Sequence, residues 1–287
     1  MGIILMLTGI FIHLGESMVV RRYGKKYDNG GMFFNAIICL FSVIFFVATD
    51  KGGLCFPTEL VLYGLVSSAF FAIGFYAMYA ALRLGSFVIT GLINSFSGVV
   101  SIFYGIFVLN EGYSFITFLA IGMVFLSLVL IRYKKTDPAE KKALSAKWLF
   151  WTLASLISNS LITVISREQQ LYFSHAYDNE FMIISLAGAF VSLVVLGFLK
   201  ERGTFKKTVK SGLLYGMAGG LLNGGKNLAN LLLLLYMPIS ISTPVKTGLN
   251  LIISFTISFL FFKERFNKQQ IIGVGIGAVA LVLFNFA

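Results

Sequence analysis

The sequence predicts an all-α integral membrane protein with ten transmembrane helices in two inverted five-helix repeats. Three observations carry this prediction. First, 57% of the 287 residues are hydrophobic and only 12% are charged, whereas a soluble domain carries about 45–50% apolar and about 25% charged residues. Second, ten apolar runs are long enough to cross hydrocarbon. Third, the two halves of the chain repeat each other at a nearly constant offset. A mean hydropathy of +0.87 agrees with the first point. A soluble enzyme, a disordered chain and a nucleic-acid binder are excluded, and the net charge of +11 becomes a question of topology.

A helix needs roughly 17–25 apolar residues to span a bilayer, and the runs follow in order. The first, 2–20, stops at Arg21-Arg22; with no basic segment before it, it reads as a span and not a cleaved signal. Run 31–49 ends at Asp50-Lys51, and run 60–82 lies between Pro57 and Arg83. Runs 86–109 and 114–131 are separated by Asn110-Glu111 and closed by Arg132. The second half opens with 148–166, after Lys147 and before Arg167, then 181–199, which ends at Lys200. Run 211–235 follows Lys210, 240–262 ends at Lys263-Glu264, and 269–286 follows Lys268. The longest polar stretch, Arg132 to Lys147, stands between spans five and six. The expected organisation is residues 1–133 as one repeat, 134–147 as a basic linker and 148–287 as the second repeat. Cys39 and Cys55 are too few and too differently placed for a disulfide framework.

Sliding the chain by 150 residues puts Tyr27-Asp28-Asn29 on Tyr177-Asp178-Asn179, and Gly53 on Gly203. A shift of 153 puts Thr90 on Thr243, Ser101 on Ser254, Glu111 on Glu264 and Gly122 on Gly275. Single matches between apolar stretches mean little; a steady offset across five spans marks a duplication. Five is odd, so the second copy enters the membrane inverted. Of 23 basic residues, Lys51 and Arg167 fall in loops on one side, Lys226 and Lys246 lie inside spans, and the other 19 lie on the opposite side. The positive-inside rule makes that side cytoplasmic, with both termini outside the cell membrane.

The halves also end alike. Thr243-Pro244-Val245, Lys263-Glu264 and Gly273, Gly275 and Gly277 close the second, while Asn110-Glu111 and Gly122 echo them in the first. With ten spans in two repeats, this pattern resembles the drug/metabolite transporter superfamily, in its EamA-like branch. The resemblance implies transport of a small organic solute through a cavity between inverted halves. Thr90-Gly91 stands where the second half has Thr243-Pro244.

Polar side chains are costly in lipid and tend to face the bundle interior or a water-filled path, and inverted-repeat transporters bind near the midplane. In span 8, Gly216, Gly219, Asn223, Lys226, Asn227 and Asn230 follow steps of three and four and share a helix face. Lys226 lies roughly 22 Å from the start of that span. Span 9 adds Thr243, Lys246, Thr247 and Asn250; Lys246 is shallower, and Pro244 frees a backbone carbonyl. Span 4 offers Asn94 beside Thr90, Ser97 and Ser101, where packing by small hydroxyls is the competing role. Substrate contacts are therefore expected from Asn223, Lys226, Asn227, Asn230, Lys246, Asn250 and Asn94.

His13 and Glu16 in span 1 share one face. Histidine can change charge near neutral pH, so the two are expected to couple transport to protons or to meet a substrate amine. Measured from the ends of the apolar runs, Glu16 and Lys226 lie toward opposite faces of the bilayer. They are therefore not expected to pair, and a bound anion is expected to compensate the lysine. On that basis Lys226→Met would leave the empty protein folded or even stabilise it.

There is no phosphate loop ahead of a Lys-Ser/Thr pair, no metal-ligand spacing around His13 or His175, and no nucleophile elbow. No cofactor, metal or nucleic acid is expected. The function expected is a secondary transporter working by alternating access on a small-molecule anion or zwitterion, such as an amino acid, within the lipid bilayer. The alternatives are a translocase of lipid-linked head groups and an integral-membrane enzyme. Oligomeric state is left open. Topology is directly testable: with native cysteines replaced, a cysteine placed between Arg132 and Lys147 should resist a membrane-impermeant thiol reagent in intact cells. Ready labelling reverses the orientation.

Overall fold

The computed structural model describes residues 2–27, 31–50, 52–84, 90, 93, 94, 96–110, 114–132, 145–262 and 268–283. Among them there is no strand. The α-helices are α1 (Gly2–Lys26), α2 (Gly31–Thr49), α3 (Thr58–Leu84), α4 (Ser97–Phe107), α5 (Phe115–Arg132), α6 (Ala146–Tyr172), α7 (Asp178–Lys200), α8 (Phe205–Tyr236), α9 (Ile239–Phe262) and α10 (Lys268–Leu283). Five stretches among the described residues are long and apolar enough to cross a membrane: Gly2–Gly24, Gly31–Thr49, Thr58–Ala81, Ala146–Tyr172 and Asp178–Lys200. Large apolar side chains cover the surface, with Phe115, Leu199 and Leu214 exposed by 82%, 74% and 73%. Water would penalise such a surface and hydrocarbon does not.

Several helices overrun the apolar runs. α1 continues from residue 20 to Lys26, α6 continues past residue 166 to Tyr172, and α8 begins at Phe205, ahead of residue 211. Backbone hydrogen bonding does not stop where hydrocarbon stops, and Lys and Arg are good helix formers whose long stems reach water. Of the fourth run, 86–109, the structure describes Thr90, Ile93, Asn94 and the stretch from Phe96 that contains α4. Glu111 and Glu264, and the side chains of Asn250 and Ser254, lie outside the described residues.

The chain forms two compact units, Met1–Tyr79 with Leu161–Leu233 and Ala80–Ser160 with Leu234–Ala287. Each draws on both halves of the sequence. In the first, α2, α3 and α7 bury Phe46, Leu60, Phe181, Leu186 and Leu193. Small residues let these backbones approach: Gly64 of α3 meets Ile184, and Gly188 and Gly197 of α7 meet Ser68 and Phe33.

α8 joins the same unit through a glycine ladder. Gly212, Gly216, Gly220 and Gly224 sit four residues apart and face Phe34, Ile37, Phe41 and Phe45 of α2. Residue numbers rise together along both helices, so α2 and α8 are parallel. A Cβ on Gly220 would stand 2.6 Å from the Ile38 carbonyl oxygen, too close for any carbon. This is small-xxx-small packing, in which missing side chains give membrane helices their contact area.

The second unit is built from α5 against α10, with Ala120, Val124 and Ala280 fully buried, and α4 against α9. Ser127 Oγ donates to the Gly273 carbonyl at 2.6 Å. α9 runs through Pro244 as one helix, and Thr247 Oγ1 donates to the Thr243 carbonyl at 2.9 Å.

The ladder makes a prediction about stability. Gly220→Ala should cost about 1–3 kcal/mol, the usual range for overpacking, read as a lower unfolding midpoint in detergent. Leu213→Ala, on the outward side and 47% exposed, should change it little. Equal effects would mean that α8 does not depend on its close contact with α2.

Candidate functional site

The polar stripe of α8 faces α1. Gly9 of α1 meets Ala229, Ile12 meets Gly225, Gly15 meets Leu222, and Val19 meets Gly219. One number rises as the other falls, so the helices are antiparallel, with glycine on one side of every contact. In this register Glu16 is level with Leu222 and Asn223. Lys226 lies only one helical turn away, roughly 6 Å along the axis, within reach of its own side chain.

The two charges meet. Lys226 Nζ donates to Glu16 Oε2 at 2.6 Å, and Asn223 Nδ2 donates to Glu16 Oε1 at 2.7 Å. Asn223 Oδ1 in turn accepts from Asn227 Nδ2 at 2.9 Å and lies 3.2 Å from Ser42 Oγ. The Ser42 hydroxyl also reaches the Gly220 carbonyl at 2.8 Å and the Ile38 carbonyl at 2.9 Å. One hydroxyl proton serves three acceptors, so Asn227 Nδ2 is the steadier donor to Asn223 Oδ1. His13 Nδ1 is buried and stands 3.5 Å from Glu16 Oε2, without a hydrogen bond among the described residues.

This overturns the expectation that Glu16 and Lys226 lie too far apart to pair. Setting the adjacent ends of the two apolar runs, residues 20 and 211, level would put Glu16 opposite residue 215; the packed helices instead put it opposite Leu222 and Asn223, about two helical turns farther along α8. The lysine therefore does not need a bound anion to be compensated. Nor can Lys226→Met be neutral for folding, since it leaves Glu16 without its cation.

Exposure falls from one end of the cluster to the other. Asn223 is 5% exposed, while the side chains of Glu16, Lys226 and His13 are 12%, 21% and 43% exposed. Asn230 lies beside Gly9 on the same α1 face. The structure thus brings together Asn223, Lys226, Asn227, His13 and Glu16, with Asn230 one turn farther along.

Asn94 belongs to the second unit and has its own network. Its Oδ1 accepts from Ser155 Oγ at 2.9 Å and lies 3.4 Å from Asn159 Nδ2, while its amide donates to the Thr90 carbonyl at 3.3 Å. Thr90 Oγ1 accepts from Trp148 Nε1 at 2.9 Å. Lys246 is half-buried on α9 in that unit. Ser101 Oγ reaches the Ser160 carbonyl at 3.4 Å, a packing contact.

Three participants escaped the sequence reading. Ser42 sits in an almost wholly apolar run where nothing signalled a partner. Trp148 opens the apolar run 148–166, where an indole carries no sign of a partner. Gln170, fully buried, bridges Asp178 Oδ2 and the Leu231 carbonyl at 3.0 and 3.1 Å; it lies past the end of its apolar run, where a polar residue is ordinary by sequence. Among the described residues, no group of three His, Cys, Asp or Glu is placed to hold a metal ion.

With the site in view, comparison with known proteins gives a consistent answer. Residues 1–133 match the EamA-like transporter family. The EamA-like match covers the part of the chain that supplies His13, Glu16, Ser42 and Asn94. A solved crystal structure shares the fold at a TM-score of 0.76 and 14% identity, covering 98% of this chain and 98% of that one. No curated protein matches the sequence. The apolar helices and their apolar surface, together with an EamA-like match over the first 133 residues, point to a multi-pass membrane protein.

The pair itself can be tested without a ligand. Removing one member of a buried ion pair costs about 3–5 kcal/mol, toward the lower end here because Lys226 keeps some exposure. Glu16→Leu and Lys226→Leu should each destabilise the folded protein. The double variant should recover about 1–3 kcal/mol of their summed loss, read by reversible unfolding in detergent. Strict additivity would show that the two charges do not support each other.

Proposed function

We propose that the protein is a secondary transporter that carries a small zwitterion of the amino-acid type across the cell membrane by alternating access. The observation that carries this is the Glu16–Lys226 pair, flanked by Asn223 and Asn227 and set among apolar helices. A ligand with both a carboxylate and an ammonium can replace each ion's partner and leave no charge uncompensated. The amides add neutral hydrogen bonds that orient it. Asn230 extends the same face; Lys246, Asn250 and Asn94 are proposed as further contacts.

In this proposal the two sequence repeats, 1–133 and 148–287, are inverted copies joined by a cytoplasmic linker at 134–147, and ten spans alternate access between the two sides. The antiparallel pairing of α1 with α8 and the parallel pairing of α2 with α8 support that order of crossings. His13 and Glu16 serve as proton-coupling groups, since the histidine ring is the most open member of the cluster.

A thermal-shift screen of amino acids and organic acids against the detergent-solubilised protein tests the proposal, because a ligand selective for the folded state raises apparent stability. Binding of the best amino acid should weaken more than tenfold, or about 1.4 kcal/mol, in Glu16→Gln/Lys226→Met, which strands no charge. Unchanged affinity in that variant, with the protein monodisperse, moves the substrate site elsewhere.

A further inference from the structure

The contact between Lys226 and Glu16 has a consequence for ligands that carry one charge and not two. At rest the cluster holds one negative and one positive group, bonded at 2.6 Å. A carboxylate ligand that engages Lys226 Nζ must take the place of Glu16 Oε2. If the ligand also carries an ammonium, that group takes the place of Lys226 on Glu16. If it does not, Glu16 remains ionised and 9% exposed, with the neutral Asn223 amide bonded to it and its lysine partner withdrawn. A buried carboxylate without a cation is strongly disfavoured, and such a group neutralises instead.

We infer that an anionic ligand and Glu16 are alternative partners of Lys226, so that a simple carboxylate binds with uptake of one proton and a zwitterion binds with none. This rests on the substrate site proposed above. The proton comes from water, and the Lys226–Glu16 hydrogen bond is exchanged for one between Lys226 and the ligand. Glu16 keeps an oxygen to accept from Asn223 Nδ2. Three other titratable groups face Glu16: His13 on its own helix, Lys226 on α8, and Cys39 on α2, which lies in the field of both charges. Ser42 and Asn223 are neutral. The proton is taken up at Glu16, and His13 Nδ1 stands 3.5 Å from the same carboxylate oxygen. Cys39 is a fully buried thiol and neither gains nor gives a proton in the exchange.

Calorimetric titration of the full chain in detergent tests this with two ligands of one shape, leucine and its deaminated counterpart isocaproate. Each is titrated in buffers of different ionisation enthalpy, which reports protons taken up per ligand bound. Leucine should show none. Isocaproate should take up one proton and bind about tenfold more weakly for each unit rise in pH, as linkage of one proton requires. In Glu16→Gln, isocaproate should bind without proton uptake and without that slope, while leucine binding weakens more than tenfold.

Isocaproate binding to the wild type with no proton uptake overturns the inference and leaves the Lys226 site standing. Unchanged affinity for both ligands in Glu16→Gln/Lys226→Met overturns the site itself. Failure of both ligands to bind the wild type rejects the carboxylate-bearing class and the inference with it. If Glu16→Gln does not remain monodisperse, the wild-type proton counts decide alone.

Discussion

An ammonium and a carboxylate cannot be held among apolar helices unless each sees the other, and much of the first unit is arranged around that requirement. Lys226 leaves α8 one turn above Glu16, and the 2.6 Å contact between them turns two costly groups into one neutral pair. Asn223 occupies the second carboxylate oxygen, and Asn227 and Ser42 occupy Asn223. Each polar atom in this chain is tolerable because the next one answers it. That is the condition under which a buried polar network stabilises a fold and does not weaken it.

Close backbone approach is what makes the network reachable. α8 presents glycines to two neighbours: Gly212, Gly216, Gly220 and Gly224 toward α2, and Gly219 and Gly225 toward Val19 and Ile12 of α1. Thinning the helix on both sides brings the Ser42 hydroxyl of α2 and the Glu16 carboxylate of α1 within hydrogen-bonding distance of the same Asn223. A helix with ordinary side chains at these positions would hold its neighbours too far off. The glycines and the charges are thus one device, since the first set the distance over which the second act.

The same arrangement suits exchange of ionic partners better than storage of a fixed charge. The pair is partly open on the Lys226 and His13 side and closed at Asn223, so the ions are accessible from one direction. Neither ion is matched by a rigid, bidentate partner; lysine holds its acceptor through a single flexible stem and can be re-bonded at modest geometric cost. The first 133 residues, which carry Glu16 of this pair, resemble the EamA-like transporter family, and the fold is shared with a solved structure along nearly the whole chain.

Composition and apolar periodicity by themselves determined that the chain is helical and membrane-embedded, and steps of three and four placed Asn223, Lys226 and Asn227 on one face. His13 and Glu16 were legible for the same reason, because an ionisable residue in an apolar run is conspicuous. What the tertiary structure alone decided is which of these meet. Glu16 and Lys226 lie 210 positions apart, and their depths, read from where hydrophobicity begins and ends, carry an error of about two helical turns. The slip is roughly 11 Å along the axis, enough to separate by position in the sequence an ion pair that is in contact in the fold. Ser42 was illegible for a different reason. A lone serine in an apolar run satisfies itself on its own helix unless a neighbour is close, and only the packing of Gly220 against α2 shows that one is.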